Sequence, residues 1–166
     1  SVKVWHTGGA PWPTEKRLEF EKEVSGKVMF AYGMTEGIMI TTSEDGLSPV
    51  RKGSCGYPLP GIEVAVKGSD NENLPTGEVG EVAYKSLCVS PGYLDMPEVT
   101  LETFKSGWVY SGDLGYLDSD GYLYLVDRKK RIIIVVGAKV YPSRVEEVLM
   151  DLNLFTEVAV CGVPDV

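Results

Sequence analysis

No apolar run in this chain exceeds five residues, and that limit decides the kind of fold open to it. One such run, Ile132-Ile133-Ile134-Val135-Val136, has the length and β-branched composition of a buried strand. Crossing a bilayer as a helix takes about 18 consecutive apolar residues, and no stretch approaches that. The apolar segments are separated by 19 Gly and 10 Pro, spread along the chain as punctuation. That is how turns between many short strands read. Nothing repeats at a fixed period. At 166 residues the chain is one domain or a piece of something larger. A domain of this size can bury about 68–70% of its unfolded surface.

Charge narrows the function classes. Sixteen Lys and Arg against 24 Asp and Glu give a net charge of −8. Broad binding to nucleic acid or an anionic membrane wants a basic surface and is not expected. A local pocket for one anionic ligand remains compatible with that balance. Cys55, Cys88 and Cys161 are scattered, and His6 is the only histidine. Neither a disulfide framework nor a zinc site is expected. The opening Ser1-Val2-Lys3-Val4-Trp5 lacks a signal peptide's apolar stretch. These features predict a cytoplasmic setting.

The first 40 residues read strand, helix, strand. Val2 and Val4 alternate with Lys3 and Trp5. Thr14 is placed to cap a charged helix over Glu15–Val24, stopped by Gly26. Val28-Met29-Phe30-Ala31-Tyr32 is a buried-strand run. The middle is β-rich. Ile62, Val64 and Val66 alternate with Glu63, Ala65 and Lys67, Gly77–Tyr84 forms another strand, and Tyr116–Val126 is a hairpin turning on Asp120-Gly121. Many short strands with Gly and Pro turns predict a small barrel. After Asp127 the character changes. A basic tetrad, Arg128-Lys129-Lys130-Arg131, precedes the Ile132–Val136 strand. A helix opens near Pro142 with Val145, Val148, Leu149 and Leu152 on one face, and a last strand covers Val158–Cys161. The fold class expected is α+β, in three parts. Residues 1–45 end an α/β core, 46–127 form the barrel, and 128–166 begin a mobile α/β domain that stops part-way.

Four segments could carry chemistry, and each has a plainer reading. In Tyr32-Gly33-Met34-Thr35-Glu36-Gly37 a strand ends on Gly33 and leaves a hydroxyl and a carboxylate at its mouth, where open α/β sheets bind ligands. A Thr hydroxyl suits a phosphate and a Glu suits Mg²⁺; the plain reading is a solvated turn. In Tyr110-Ser111-Gly112-Asp113-Leu114-Gly115 two glycines admit close approach to an Asp suited to vicinal hydroxyls; the plain reading is an Asx turn. In Asp127-Arg128-Lys129-Lys130-Arg131 the guanidinium of Arg128 could fork onto a sugar or phosphate; the plain reading is a solvated linker. Thr7-Gly8-Gly9-Ala10-Pro11 leaves room for a flat ring; the plain reading is a strand-to-helix loop. Asp118-Ser119-Asp120-Gly121 resembles part of a calcium loop without the closing Glu, and His6 has no nucleophile partner at a telling spacing. Neither is given a role.

These segments occur together and in order, and jointly they resemble the adenylate-forming superfamily of acyl-CoA synthetases, aryl-CoA ligases, luciferases and peptide-synthetase adenylation domains. YGMTE is similar to the family's strand-end motif and YSGDLG to its ribose motif. GYLYLVDRKKR with GAKVYPSRVEEVL resembles the joint between its large and small domains. VAVCGVPD looks like its small-domain strand. YGMTE and VYPSRVEE look most like the acyl- or aryl-CoA ligase branch. The resemblance implies that a carboxylate attacks ATP to give acyl-AMP and pyrophosphate. The small domain then rotates and a CoA thiol displaces AMP. It implies ATP/AMP, Mg²⁺ and CoA as ligands and a carboxylic acid as substrate. Gly9, Ala10 and Pro11 would line the adenine, with Ala31, Tyr32 and Gly33 around it and Tyr32 packed on the ring. Thr35 and Glu36 would be the catalytic pair, Thr35 on phosphate and Glu36 on the metal. Asp113 would hold the ribose, Arg128 beside it, Lys130 the hinge, and Gly137 the path of CoA.

Two departures shape the alternatives. The family usually has small residues, or Lys in aryl ligases, just before Gly137, where this chain has Ile134, Val135 and Val136. The family's Ser/Thr/Gly-rich phosphate loop and its catalytic Lys have no match here. The chain is therefore expected to be a piece of a synthetase, inactive alone. The alternatives are a non-catalytic nucleotide-binding or interaction module, and an adenylating enzyme whose acceptor is not CoA.

Overall fold

The computed structural model describes residues 2–10, 12, 14–42 and 51–164. The boundary expected at residues 45 and 46 and the cleft residue Pro11 lie outside them. Strand β1 (Val4–Gly8), helix α1 (Thr14–Glu23) and strand β2 (Lys27–Met34) form a βαβ unit, with β1 and β2 parallel from Val4↔Lys27 to Gly8↔Ala31. Gly26 stops the helix with φ +121°. A side chain there would meet the carbonyls of Val2 and Lys3 at 2.8–2.9 Å, so the return into β2 requires glycine. Phe20 anchors the mostly charged helix by edge contacts with Trp5 and Trp12, centroids 5.7 and 5.6 Å away.

The sheet continues without a break. Antiparallel β3 (Ile38–Thr42) follows β2, then β4 (Ser54–Pro58), and β4 pairs on its other side with β9 (Leu123–Arg128). Beyond β9 come β8 (Trp108–Leu117), β6 (Gly80–Lys85) and β5 (Glu63–Lys67), with the two-residue β7 (Phe104–Lys105) on β8. Helix α2 (Pro97–Thr103) sits between β6 and β7.

The small barrel expected over 46–127 shows no closed sheet among the described strands. β4 is paired with both β3 and β9, so the middle strands extend the first sheet in an open path from β1 to β5. The path is nonetheless strongly curled. β2 and β8 are four strands apart, about 19 Å across a flat sheet, yet Tyr32 and Asp113 on them are hydrogen-bonded at 2.8 Å. The concave side encloses the core of Tyr32, Ile40, Cys55, Val82, Tyr84, Val109 and Leu123. Burial pushes the Cys55 thiol up to about 11, which leaves it inert.

The hairpin expected around Asp120-Gly121 joins β8 to β9, with Gly121 at φ +84°. Asp118 Oδ1 accepts the N–H groups of Asp120 and Tyr122, while Asp118 and Asp120 each bond the Arg51 guanidinium at 2.9 Å, so these carboxylates hold the turn together.

Two sequence expectations fail beyond β9. Ile132–Val136 is not a buried strand. Its centre, β10 (Ile133–Val135), forms a two-stranded ribbon with β11 (Ala138–Val140), and Ile134, Val135 and Val136 are exposed. No third strand covers the ribbon among the described residues. Val158–Cys161 is not a strand either. It finds no ladder partner there, and Val160 instead donates its N–H to Glu146 Oε1 at 2.8 Å. Helix α3 (Pro142–Asp151) forms as expected with Pro142 in its first turn.

Candidate functional site

The parallel pair β1–β2 ends at an open cleft of about 580 Å³. Thr7, Gly8 and Gly9 form one wall; Ala31, Gly33 and Thr35 form the other; Met34, Ile38 and Met39 give it an apolar end. Four expected residues (Gly9, Ala31, Gly33 and Thr35) therefore meet where the C-terminal ends of parallel strands place ligands. Gly9 has φ +89° and open space where a side chain would project, so a flat ring can lie against its backbone. Gly33 is fixed by packing: a Cβ would overlap the carbonyl of Ile38 across the β2–β3 turn. Ala10 is exposed and does not line the cleft. His6, given no role from sequence, does. Ile38 holds φ +63°, a left-handed conformation unusual for a β-branched residue, and its side chain stands exposed at the cleft.

Tyr32 is not in that lining. It lies in the core, and its hydroxyl donates to Asp113 Oδ2 at 2.8 Å. Burial, then the charge of Asp113, drives this phenol's pKa far above its ordinary value, so it is a fixed donor. Asp113 sits in β8, not in a free Asx turn. Gly112 takes φ +72° in a bulge where Ser111 Oγ donates to the Val82 carbonyl at 2.8 Å and accepts the N–H of Asp113 at 3.1 Å. Arg128 is the cross-strand partner of Asp113, and its Nε lies 3.2 Å from Oδ1. A carboxylate has about four acceptor positions. Tyr32 and Arg128 take two, which leaves room for two hydroxyls.

Glu36 lies on the turn between β2 and β3. Its Oε1 accepts from the Tyr93 hydroxyl, and its carbonyl accepts the N–H of Ser90 at 2.7 Å. Among the described residues no three His, Cys, Asp or Glu side chains gather as a metal cage. A single carboxylate beside an exposed Thr35 fits a cation that completes its shell with water and substrate phosphate, the habit of Mg²⁺. Sequence reasoning missed Tyr93 and Tyr84. The Tyr84 side chain is fully buried beneath Gly37, and its hydroxyl has no hydrogen-bond partner among the described residues. Burial, then the nearby Glu36 and Tyr93, pushes it up to about 12.

The basic tetrad is no plain solvated linker. Buried Asp127 accepts the N–H of Ser143 at 2.8 Å, which caps α3 from outside the helix, and Arg131 lies 3.7 Å from the same carboxylate and 2.6 Å from Glu146. Lys129 pairs with Glu81 at 2.6 Å. Lys130, in the one-turn 3₁₀ segment Lys129–Arg131, is exposed, and Gly137 turns the exposed β10–β11 ribbon. Neither reaches the cleft.

Residues 1–94 match the AMP-binding enzyme family. The chain belongs to that family. A long-chain-fatty-acid–CoA ligase of Bacillus subtilis is 37% identical across 99% of the chain. Two solved structures superpose closely. The B. subtilis O-succinylbenzoate coenzyme A synthetase MenE, in complex with ATP and magnesium ion, has a TM-score of 0.87, 34% identity and 98% coverage. The amide bond synthetase McbA of Marinactinospora thermotolerans has a TM-score of 0.84, 36% identity and 96% coverage. The chain spans 30% of the ligase and 34% and 33% of the two structures, about a third of each. Its mixed α+β fold is that of this AMP-binding family. No helix among the described residues is long and apolar enough to cross a membrane.

Proposed function

We propose that these residues belong to an acyl-CoA synthetase that joins a carboxylic acid to ATP, releases pyrophosphate, and passes the acyl group from acyl-AMP to CoA. The observation that carries this reading is the convergence of distant segments. Thr35, next to Glu36 in the chain, lines a glycine-walled cleft with Ala31 and Gly33, and Tyr32 between those two is bonded to Asp113, which pairs with Arg128. In this reading Gly9, Ala10, Pro11, Ala31 and Gly33 flank the adenine. Tyr32 packs on the ring only if its ring turns out of the core. Asp113 holds the ribose hydroxyls beside Arg128. Thr35 bonds a phosphate, and Glu36 orients the Mg²⁺ that neutralises it. Such a site works by positioning and charge neutralisation. Lys130 is the hinge on which residues 128–166 turn against the preceding two segments, 1–45 and 46–127, and Gly137 then borders the path of CoA. The apolar residues Met34, Ile38 and Met39 suit a hydrophobic acid. The cytoplasm is the setting where these substrates meet.

The test is made in the full-length protein. Asp113→Ala is expected to weaken ATP binding at least 10-fold, and acid, ATP and CoA together are expected to yield a thioester and AMP. The 166 residues alone are expected to make no acyl-AMP. A full-length protein that releases no pyrophosphate with any aliphatic or aromatic acid overturns the reading. A second reading, an acceptor other than CoA, is favoured by Ile134, Val135 and Val136 standing exposed before Gly137. It is also favoured by the likeness to an amide bond synthetase. Acyl-AMP formed without any acyl-CoA supports it.

A further inference from the structure

Glu36 is held from outside its own turn by the segment that links β6 to α2. The backbone N–H of Ser90 donates to the Glu36 carbonyl at 2.7 Å, and the Tyr93 hydroxyl donates to Glu36 Oε1. Tyr93 is fixed in turn. Its N–H donates to Thr100 Oγ1 at 2.9 Å, its ring meets Phe104 edge-on at 5.9 Å, and Gly92 before it has φ +143° with no room for a side chain against Thr100. Under the same turn, Gly37 rests on the buried Tyr84 ring. The turn that carries Thr35 and Glu36 is thus gripped from β6 and from the linking segment, which Thr100 of α2 fixes in turn.

Resting on the reading of Glu36 as the Mg²⁺ ligand, we propose that Tyr93 is the positioning residue that aims its carboxylate. With Oε1 committed to the phenol, Oε2 is the oxygen presented to the cation. An isolated Glu on a surface turn would spread over several rotamers, and fixing it beforehand removes that entropy from the binding step. Partners that orient a metal ligand in this way typically change metal affinity 10–100-fold when removed. Tyr93 lies 57 residues from Glu36 and belongs to none of the four segments whose composition suggested chemistry.

The experiment uses the full-length protein and a non-hydrolysable ATP analogue, with affinity measured by calorimetry with and without Mg²⁺. The ratio of the two dissociation constants reports the contribution of the metal. Tyr93→Phe keeps the ring and its contact with Phe104 and removes only the hydroxyl. It is expected to lower the ratio about 10-fold with the metal-free affinity unchanged. Glu36→Gln is expected to abolish the metal effect, and Thr100→Val to reproduce part of the Tyr93→Phe loss. A Tyr93→Phe protein with the wild-type ratio, or a higher one, overturns the proposal. So does an equal loss with and without metal, which marks a merely structural bond. If Glu36→Gln also keeps the wild-type ratio, Glu36 is not the metal ligand and the underlying reading fails along with the proposal. A loss in Glu36→Gln without one in Tyr93→Phe removes the proposal alone.

Discussion

Two tight turns carry residues singled out in the sequence, and they are built in opposite ways. The turn Thr35–Gly37 between β2 and β3 is held by Ser90, Tyr93 and Tyr84, all from distant parts of the chain. The turn Val136-Gly137 between β10 and β11 is held by its own short ladder, with Val136 fully exposed. A turn gripped from three sides has one conformation and suits a group that must meet a phosphate or cation in fixed geometry. A ribbon with few outside contacts can be carried as a unit when the segment bearing it moves. The contrast separates a turn held by distant segments from a ribbon held by its own ladder.

The comparison breaks most visibly at the anchor of the second region. Asp127→Ala leaves Arg131 and the first-turn amide of Ser143 without their shared acceptor. The expected cost to α3 is about 2–4 kcal/mol, lessened because Arg131 is partly exposed. Hydrogen exchange should show α3 amides losing protection while those of β6 and β8 keep theirs; equal loss in both would mean the two regions fold as one. In the gripped turn, Gly37→Ala drives a methyl into the Tyr84 ring. Overpacking of this kind costs about 1–3 kcal/mol. It should lower the urea midpoint of the sheet and weaken nucleotide binding together.

Smaller changes sharpen the contrast. Tyr84→Phe removes a buried hydroxyl that has no partner among the described residues. The variant is expected to be about 1 kcal/mol more stable, read as a raised thermal midpoint; a lower midpoint would show that the hydroxyl is satisfied after all. Val136 has φ +49° and Gly137 φ +82°, the pattern of a two-residue hairpin that favours Asn-Gly. Val136→Asn should stabilise the ribbon by up to about 1 kcal/mol. Only β10 and β11 amides should gain protection, because among the described residues nothing else packs on that turn.

The sequence made the local elements plain. The βαβ opening, the Asp120-Gly121 hairpin and the Pro142 helix follow from periodicity and turn chemistry within a dozen residues. The five-residue β3, the short β4 with its Gly and Pro, and α2 were not legible, because pairing and packing in the folded chain stabilise them more than their own composition does. The same reason explains the barrel: only the pairing of β4 with both β3 and β9 shows that the sheet is continuous. The exposed Ile132–Val136 ribbon was misread because an apolar run states a preference for burial but not what is present to bury it. At the site, Thr35, Glu36, Asp113 and Arg128 stood out as polar groups among glycines or basic neighbours. Tyr93 and Tyr84 look like ordinary strand and loop aromatics, and only the curl of the sheet brings them to Glu36.

The hydrogen bond between Tyr32 and Asp113 joins residues 81 positions apart, across strands that are not neighbours. The hairpins β5–β6 and β8–β9 can close early, since each links nearby segments. The β4–β9 pairing must close a loop of more than 60 residues and is entropically late. Until it closes, Asp113 on β8 is not brought to Tyr32 on β2. On the proposed reading, nucleotide affinity is expected only once this pairing has formed, and its appearance during refolding would report that step.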